Sequence, residues 1–212
     1  MNEPIRTITF DNIVMILRVQ NAQGSMGFTT STKHKPSKSQ MFWSKHKEGM
    51  TQLASHTFVV MKPPLISEAL FPRFPKDFGS LEKYLKPNRD TWLYQYPDLI
   101  NLHRIQYLIG EGYCRGKRGS IYGSRDFARH ILKFIRRKED RRDTCSEHNA
   151  YVARREFLVP FLPPGIHKED ASPSRERTWI TSGEAKALGW KEILNWDGEN
   201  LTLYGTVYKI AA

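Results

Sequence analysis

The stretch HTFVVMKPP, residues 56–64, constrains this chain most sharply. Its β-branched and aromatic residues suit a pleated, buried surface, and Pro63-Pro64 ends the run, because proline donates nothing to a ladder and restricts its predecessor. A short buried strand is expected there. Upstream, IRTITFDNIVMILRVQ (5–20) is also rich in β-branched residues, alternates in part, and reads as one or two strands. Between them, GSMGFTTSTKHKPSKSQMFWSKHK (24–47) is rich in Ser, Thr and Lys, and reads as a mobile basic loop.

The middle of the chain has helical periodicity. YPDLINLHRIQYLIGEGY (96–113) spaces Leu99, Leu102, Ile105, Leu108 and Ile109 along one face, with Pro97 in the first turn and Gly110 as the stop. SRDFARHILKFIRRKEDRR (124–142) places Phe127, Ile131, Phe134 and Ile135 on one stripe and leaves a strongly basic remainder. FLVPFLPPGIHKEDASPSRER (157–177) reads as an extended connection and a boundary. TSGEAKALGWKEIL then offers Thr181 or Ser182 as an N-cap with Glu184 early in the turn, and NWDGENLTLYGTVYKI reads as a turn followed by a strand or hairpin. The expected class is α+β: N-terminal strands, a helical middle, and a C-terminal helix plus β-hairpin. Three regions follow, 1–60 with its basic loop 24–47, 61–165, and 166–212.

At 212 residues, 39% hydrophobic and 12% aromatic, the composition is that of a globular chain. Lys and Arg outnumber Asp and Glu by 33 to 22, so the formal charge of +11 favours nucleic acid, an anionic membrane or an acidic protein surface. Cys114 and Cys145 are too few for a disulfide framework and lie in no zinc-ligand spacing, which points to a reducing compartment without structural metal. IVMILRV is about half a membrane span and is interrupted by Arg18, so no span is expected. No secretory signal pattern accompanies it.

Motifs for chemistry are sparse. GEGYCRGKRGS lacks the four-residue gap before Gly-Lys that a phosphate loop requires, and reads as a basic turn. DTCSEHNAY sets Cys145 near His148, with Glu147 and Asn149, but nucleophile and base usually come from distant parts of a sequence, so it reads as a charged surface turn. The expected chain is not an enzyme, has no catalytic or metal-binding residues and needs no cofactor. The basic helix carries Arg125, Arg129, Lys133, Arg136 and Arg137, which can contact RNA phosphates or a partner, or form a solvated face.

FPKDFGSLEKYLKP (74–87) has a proline that can open a helix, Phe78, Leu81 and Leu85 at i, i+3 and i+7, and Pro87 as a stop. A short core helix is one reading. The segment also resembles an F-box through Phe74-Pro75, Phe78 and Pro87, with Leu81 on the same face. GKRGSIYGSRDF (116–127) is similar to the basic, Ile-Tyr-Gly, then Phe pattern of the open-reading-frame-zero proteins of poleroviruses and enamoviruses, through Ile121, Tyr122, Gly123 and, loosely, Phe127. Those proteins are plant-virus suppressors of RNA silencing with a minimal F-box. The resemblance implies an adaptor in the host cytoplasm or nucleus that engages a Skp-type subunit of an SCF ubiquitin ligase through Phe74, Pro75, Phe78, Leu81 and Pro87, and recruits Argonaute for degradation. A basic protein that sequesters small RNA is the alternative.

Overall fold

The computed structural model describes residues 6–31, 35–69, 78–96, 145, 162–166 and 171–211. Among these, nine strands form one mixed sheet in the order β1-β9-β8-β7-β6-β2-β3-β4-β5. The strands are β1 (Arg6–Ile8), β2 (Met26–Thr29), β3 (His56–Lys62), β4 (Leu65–Ser67), β5 (Gly79–Ser80), β6 (Thr91–Gln95), β7 (Lys191–Trp196), β8 (Asn200–Leu203) and β9 (Thr206–Ile210). Only β1 and β9 pair in parallel; the other neighbours are antiparallel. Two meanders, β2 to β5 and β7 to β9, meet through β6, which pairs with both β2 and β7. The fold is α+β, and its sheet draws strands from all three regions of the chain.

Alternation along β3 shows why both faces need cover. Phe58 and Val60 join a cluster with Ile13 and Leu17, while Val59 and Met61 join a second cluster with Trp179 and Ile180. A strand apolar on both sides must be sandwiched. The first face is covered by α1 (Phe10–Val19) and by the 3-10 turn Leu81–Tyr84, and the second by α3 (Pro173–Ile180) and α4 (Gly183–Ala187).

The structure corrects several local expectations. Residues 10–19, expected as strand, are the helix α1: Thr9 Oγ1 accepts the Asn12 amide at 3.3 Å, and Ile13, Val14 and Leu17 bury one stripe. β-branching lowers helix propensity only slightly, and the apolar stripe on the sheet outweighs it. Residues 24–47, expected as loop, contain β2, buried at all four positions, and α2 (Lys35–His46). Gly27 in β2 lies opposite Phe58 in β3, whose ring fills the space where a Cβ would stand. The strand expected at 56–62 is β3, and Pro63-Pro64 turns it into β4, a strand absent from the sequence reading.

Residues 173–177, expected in an extended connection, belong to α3. Ser172 caps it, Pro173 occupies the first turn, and Ser174 and Glu176 are fully buried. Arg177 donates to the Leu53 carbonyl at 2.9 Å and lies 3.3 Å over the Trp92 ring. At the C-terminus, Ser182 is the N-cap of α4, accepting the Ala185 amide at 3.1 Å, and β8 and β9 form the expected hairpin. The helices expected over 96–113 and 124–142 lie outside the described residues.

Candidate functional site

The second half of the F-box-like segment is not the α-helix its spacing suggests. Phe78 precedes the two-residue strand β5, and Leu81–Tyr84 form a 3-10 turn capped by Ser80. Leu81 is fully buried, Phe78 is half-buried against the core, and Pro87 is exposed. The apolar residues of this stretch therefore face the protein's own sheet. Hydrogen bonds to its backbone fasten it there: the Leu81 amide donates to the Pro64 carbonyl at 2.9 Å, the Thr91 hydroxyl to the Tyr84 carbonyl at 2.7 Å, and the Trp196 indole to the Lys86 carbonyl at 3.0 Å. The Pro63 carbonyl accepts from Arg18 Nε at 2.7 Å, so the Pro63-Pro64 turn ties α1 and the 3-10 turn to one point. Phe74 and Pro75 lie outside the described residues, as do Ile121, Tyr122, Gly123, Phe127, Arg125, Arg129, Lys133, Arg136 and Arg137.

Beneath this turn lies a polar cluster that the sequence motifs did not show. Glu68, whose side chain is fully buried, accepts from Lys83 Nζ through Oε1 and from the Tyr84 hydroxyl through Oε2. Its Oε2 also meets His56 Nε2 at 2.9 Å. A buried carboxylate is tolerable only when its charge and lone pairs are matched, and three partners do this here. The residues arrive by alternation: His56 shares a face of β3 with Phe58 and Val60, and Glu68 follows Ile66 of β4 by two positions. Gly79 completes the fit, because the Glu68 carboxylate stands where its Cβ would be.

Cys145 joins the cluster from far along the chain. It is buried and packs against Ala69, the neighbour of Glu68. Burial pulls the His56 pKa down, but Cys145 and then Glu68 overcome it and hold the imidazole at about 9. For Glu68, burial pushes upward, and His56, Lys83 and Tyr84 reverse this to about 2. Burial, then the Glu68 charge, raises the Tyr84 phenol well above its ordinary value. At neutral pH the cluster thus holds an imidazolium against a carboxylate.

His148, the histidine beside Cys145 in the sequence, lies outside the described residues; the histidine whose pKa Cys145 raises is His56. No spacing rule links positions so far apart, and the available signal was a polar residue at each end of an apolar strand pair. Among the described residues no group of three His, Cys, Asp or Glu side chains could hold a metal ion, and no helix is long and apolar enough to cross a membrane. No family model, curated protein or solved structure matches the chain.

Proposed function

We propose that the chain suppresses RNA silencing as an F-box-like adaptor, bringing a Skp-type SCF ubiquitin ligase to Argonaute. The Phe74-Pro75 to Pro87 segment, together with Ile121-Tyr122-Gly123, carries this reading, and the fastening of residues 78–87 to the sheet supports it. A docking segment whose far end is already built into a rigid element loses less conformational entropy on binding. Because Leu81 is fully buried and Phe78 packs on the core, the adaptor contact falls to Phe74 and Pro75, with Phe78 and Leu81 holding the segment in place.

Phe74→Ala combined with Pro75→Ala should abolish ribonuclease-resistant copurification with the Skp-type adaptor and leave thermal melting unchanged. Loss of an interface anchor costs about 2 kcal/mol or more, roughly thirtyfold in affinity. Copurification retained by the double variant would overturn the adaptor reading. Argonaute association that disappears with ribonuclease would favour RNA sequestration instead.

A further inference from the structure

Helix α2 presents an aromatic ring to solvent in the middle of a basic face. Phe42 is 64% exposed, and Lys38, Lys45 and His46 are exposed beside it. Offsets of three and four residues place all four side chains on one side of the helix. The opposite side seats α2 on the protein: Ser44 is buried, and Met41 and Trp43 are half-buried. The His46 ring lies against Phe42 with centroids 4.4 Å apart and planes tilted by 42°, which restricts the ring without covering it. No Asp or Glu occurs between Asp11 and Glu48, and Glu48, with its side chain 12% exposed, is turned to Arg175 of α3 at 3.5 Å. The positive charge of this face is thus not offset from within its own segment.

A basic face with an apolar centre suits either a membrane surface or an unpaired nucleic-acid strand. A membrane-surface helix buries a broad apolar face, whereas Phe42 is the only large apolar side chain exposed among those described on α2. A single strand needs a ring on which one base stacks and ammonium groups for the phosphates on either side. A duplex keeps its base faces hidden, so a solvent-facing ring favours the unpaired form. We propose that α2 is a docking surface for an unpaired nucleic-acid strand, with a base stacked on Phe42 and the flanking phosphates paired with Lys38 and Lys45. The two lysines stand about 10 Å apart along the helix axis, one on each side of the ring. Binding of this kind is salt-dependent and tolerant of sequence, because every base has a π-face and every nucleotide a phosphate. The surface is independent of the adaptor reading, since neither Phe74 nor Pro75 belongs to it.

The test is fluorescence anisotropy of the full chain, without adaptor or Argonaute, against labelled oligouridine of about twelve nucleotides, a duplex of the same length, and phosphatidylserine vesicles. The wild type should bind the strand more tightly than the duplex. Phe42→Ala should weaken oligouridine binding about tenfold, and Phe42→Trp should retain it. Lys38→Gln combined with Lys45→Gln should lower the slope of log affinity against log salt by about 1.4, two phosphates at about 0.7 each. Ultraviolet crosslinking followed by mass spectrometry should place the uridine adduct on Phe42. No binding by the wild type, unchanged binding by Phe42→Ala, an adduct found only elsewhere, or Phe42-dependent binding to vesicles alone would overturn the proposal. The wild-type crosslink decides it even where a variant fails to fold.

Discussion

The Phe58 and Tyr84 rings lie nearly parallel, at 7° with centroids 4.8 Å apart, which joins strand β3 to the 3-10 turn of the F-box-like segment. The tip of Tyr84 also donates to Glu68, so one side chain packs on the core and satisfies a buried charge. These two functions can be separated by substitution.

Tyr84→Phe keeps the stack but removes a donor from the carboxylate, and should cost about 1–3 kcal/mol. Tyr84→Ala loses both and should cost about 3–5 kcal/mol, as for other large-to-small changes of buried aromatics. Urea unfolding midpoints of the two variants measure the difference; equal losses would show that the ring stack contributes nothing.

Gly79→Ala should destabilise the chain because its methyl group meets the Glu68 carboxylate. The same change in a Glu68→Ala background should be tolerated better, since the obstructing atoms are gone. A double-mutant cycle reads this coupling, expected at about 0.5–3 kcal/mol for residues in contact. Strict additivity would contradict the proposed fit.

Acid stability should depend on Glu68. Its folded pKa of about 2 is below the model-peptide value of 4.5, so as pH falls the unfolded chain binds this proton first. The contribution is complete above about pH 4.5 and disappears as pH drops through 2, with a slope of up to about 1.4 kcal/mol per pH unit from this one proton. Glu68→Gln should be less stable at pH 7 and flatter across pH 4.5 to 2 in denaturant titrations. An unchanged acid slope would remove Glu68 from the account.

Ser174 should anchor α3. Its fully buried hydroxyl accepts the Ala54 amide at 3.1 Å and donates to the Ala54 carbonyl at 2.9 Å, so it serves both backbone groups of one residue. Ser174→Ala strands both and should cost about 1–3 kcal/mol. Thermal melting of this variant beside Ser172→Ala, which removes the single 3.3 Å cap to the Arg175 amide, should show the larger loss for Ser174.

Local rules within the sequence were sufficient to locate β3 and its end at Pro63-Pro64, the hairpin of β8 and β9 and the α+β class, and to narrow the helix cap to Thr181 or Ser182, of which Ser182 is the cap. Each depends on neighbours a few residues apart: a proline without a donor, a hydroxyl within reach of the amide three residues on, a turn between alternating strands. Tertiary structure decided the rest. IVMILRV became helix because Ile13 and Leu17 find a sheet to cover, and the polar-looking run 24–47 yielded β2 because β3 and β6 flank it on either side. Leu81 turned inward for the same reason, onto a surface made by strands before and after it. Cys145 packs against Ala69 from far along the chain, and Glu68 finds its partners from β3 and the 3-10 turn. Burial and electrostatic matching are properties of what the folded chain brings together, so no local pattern encodes them.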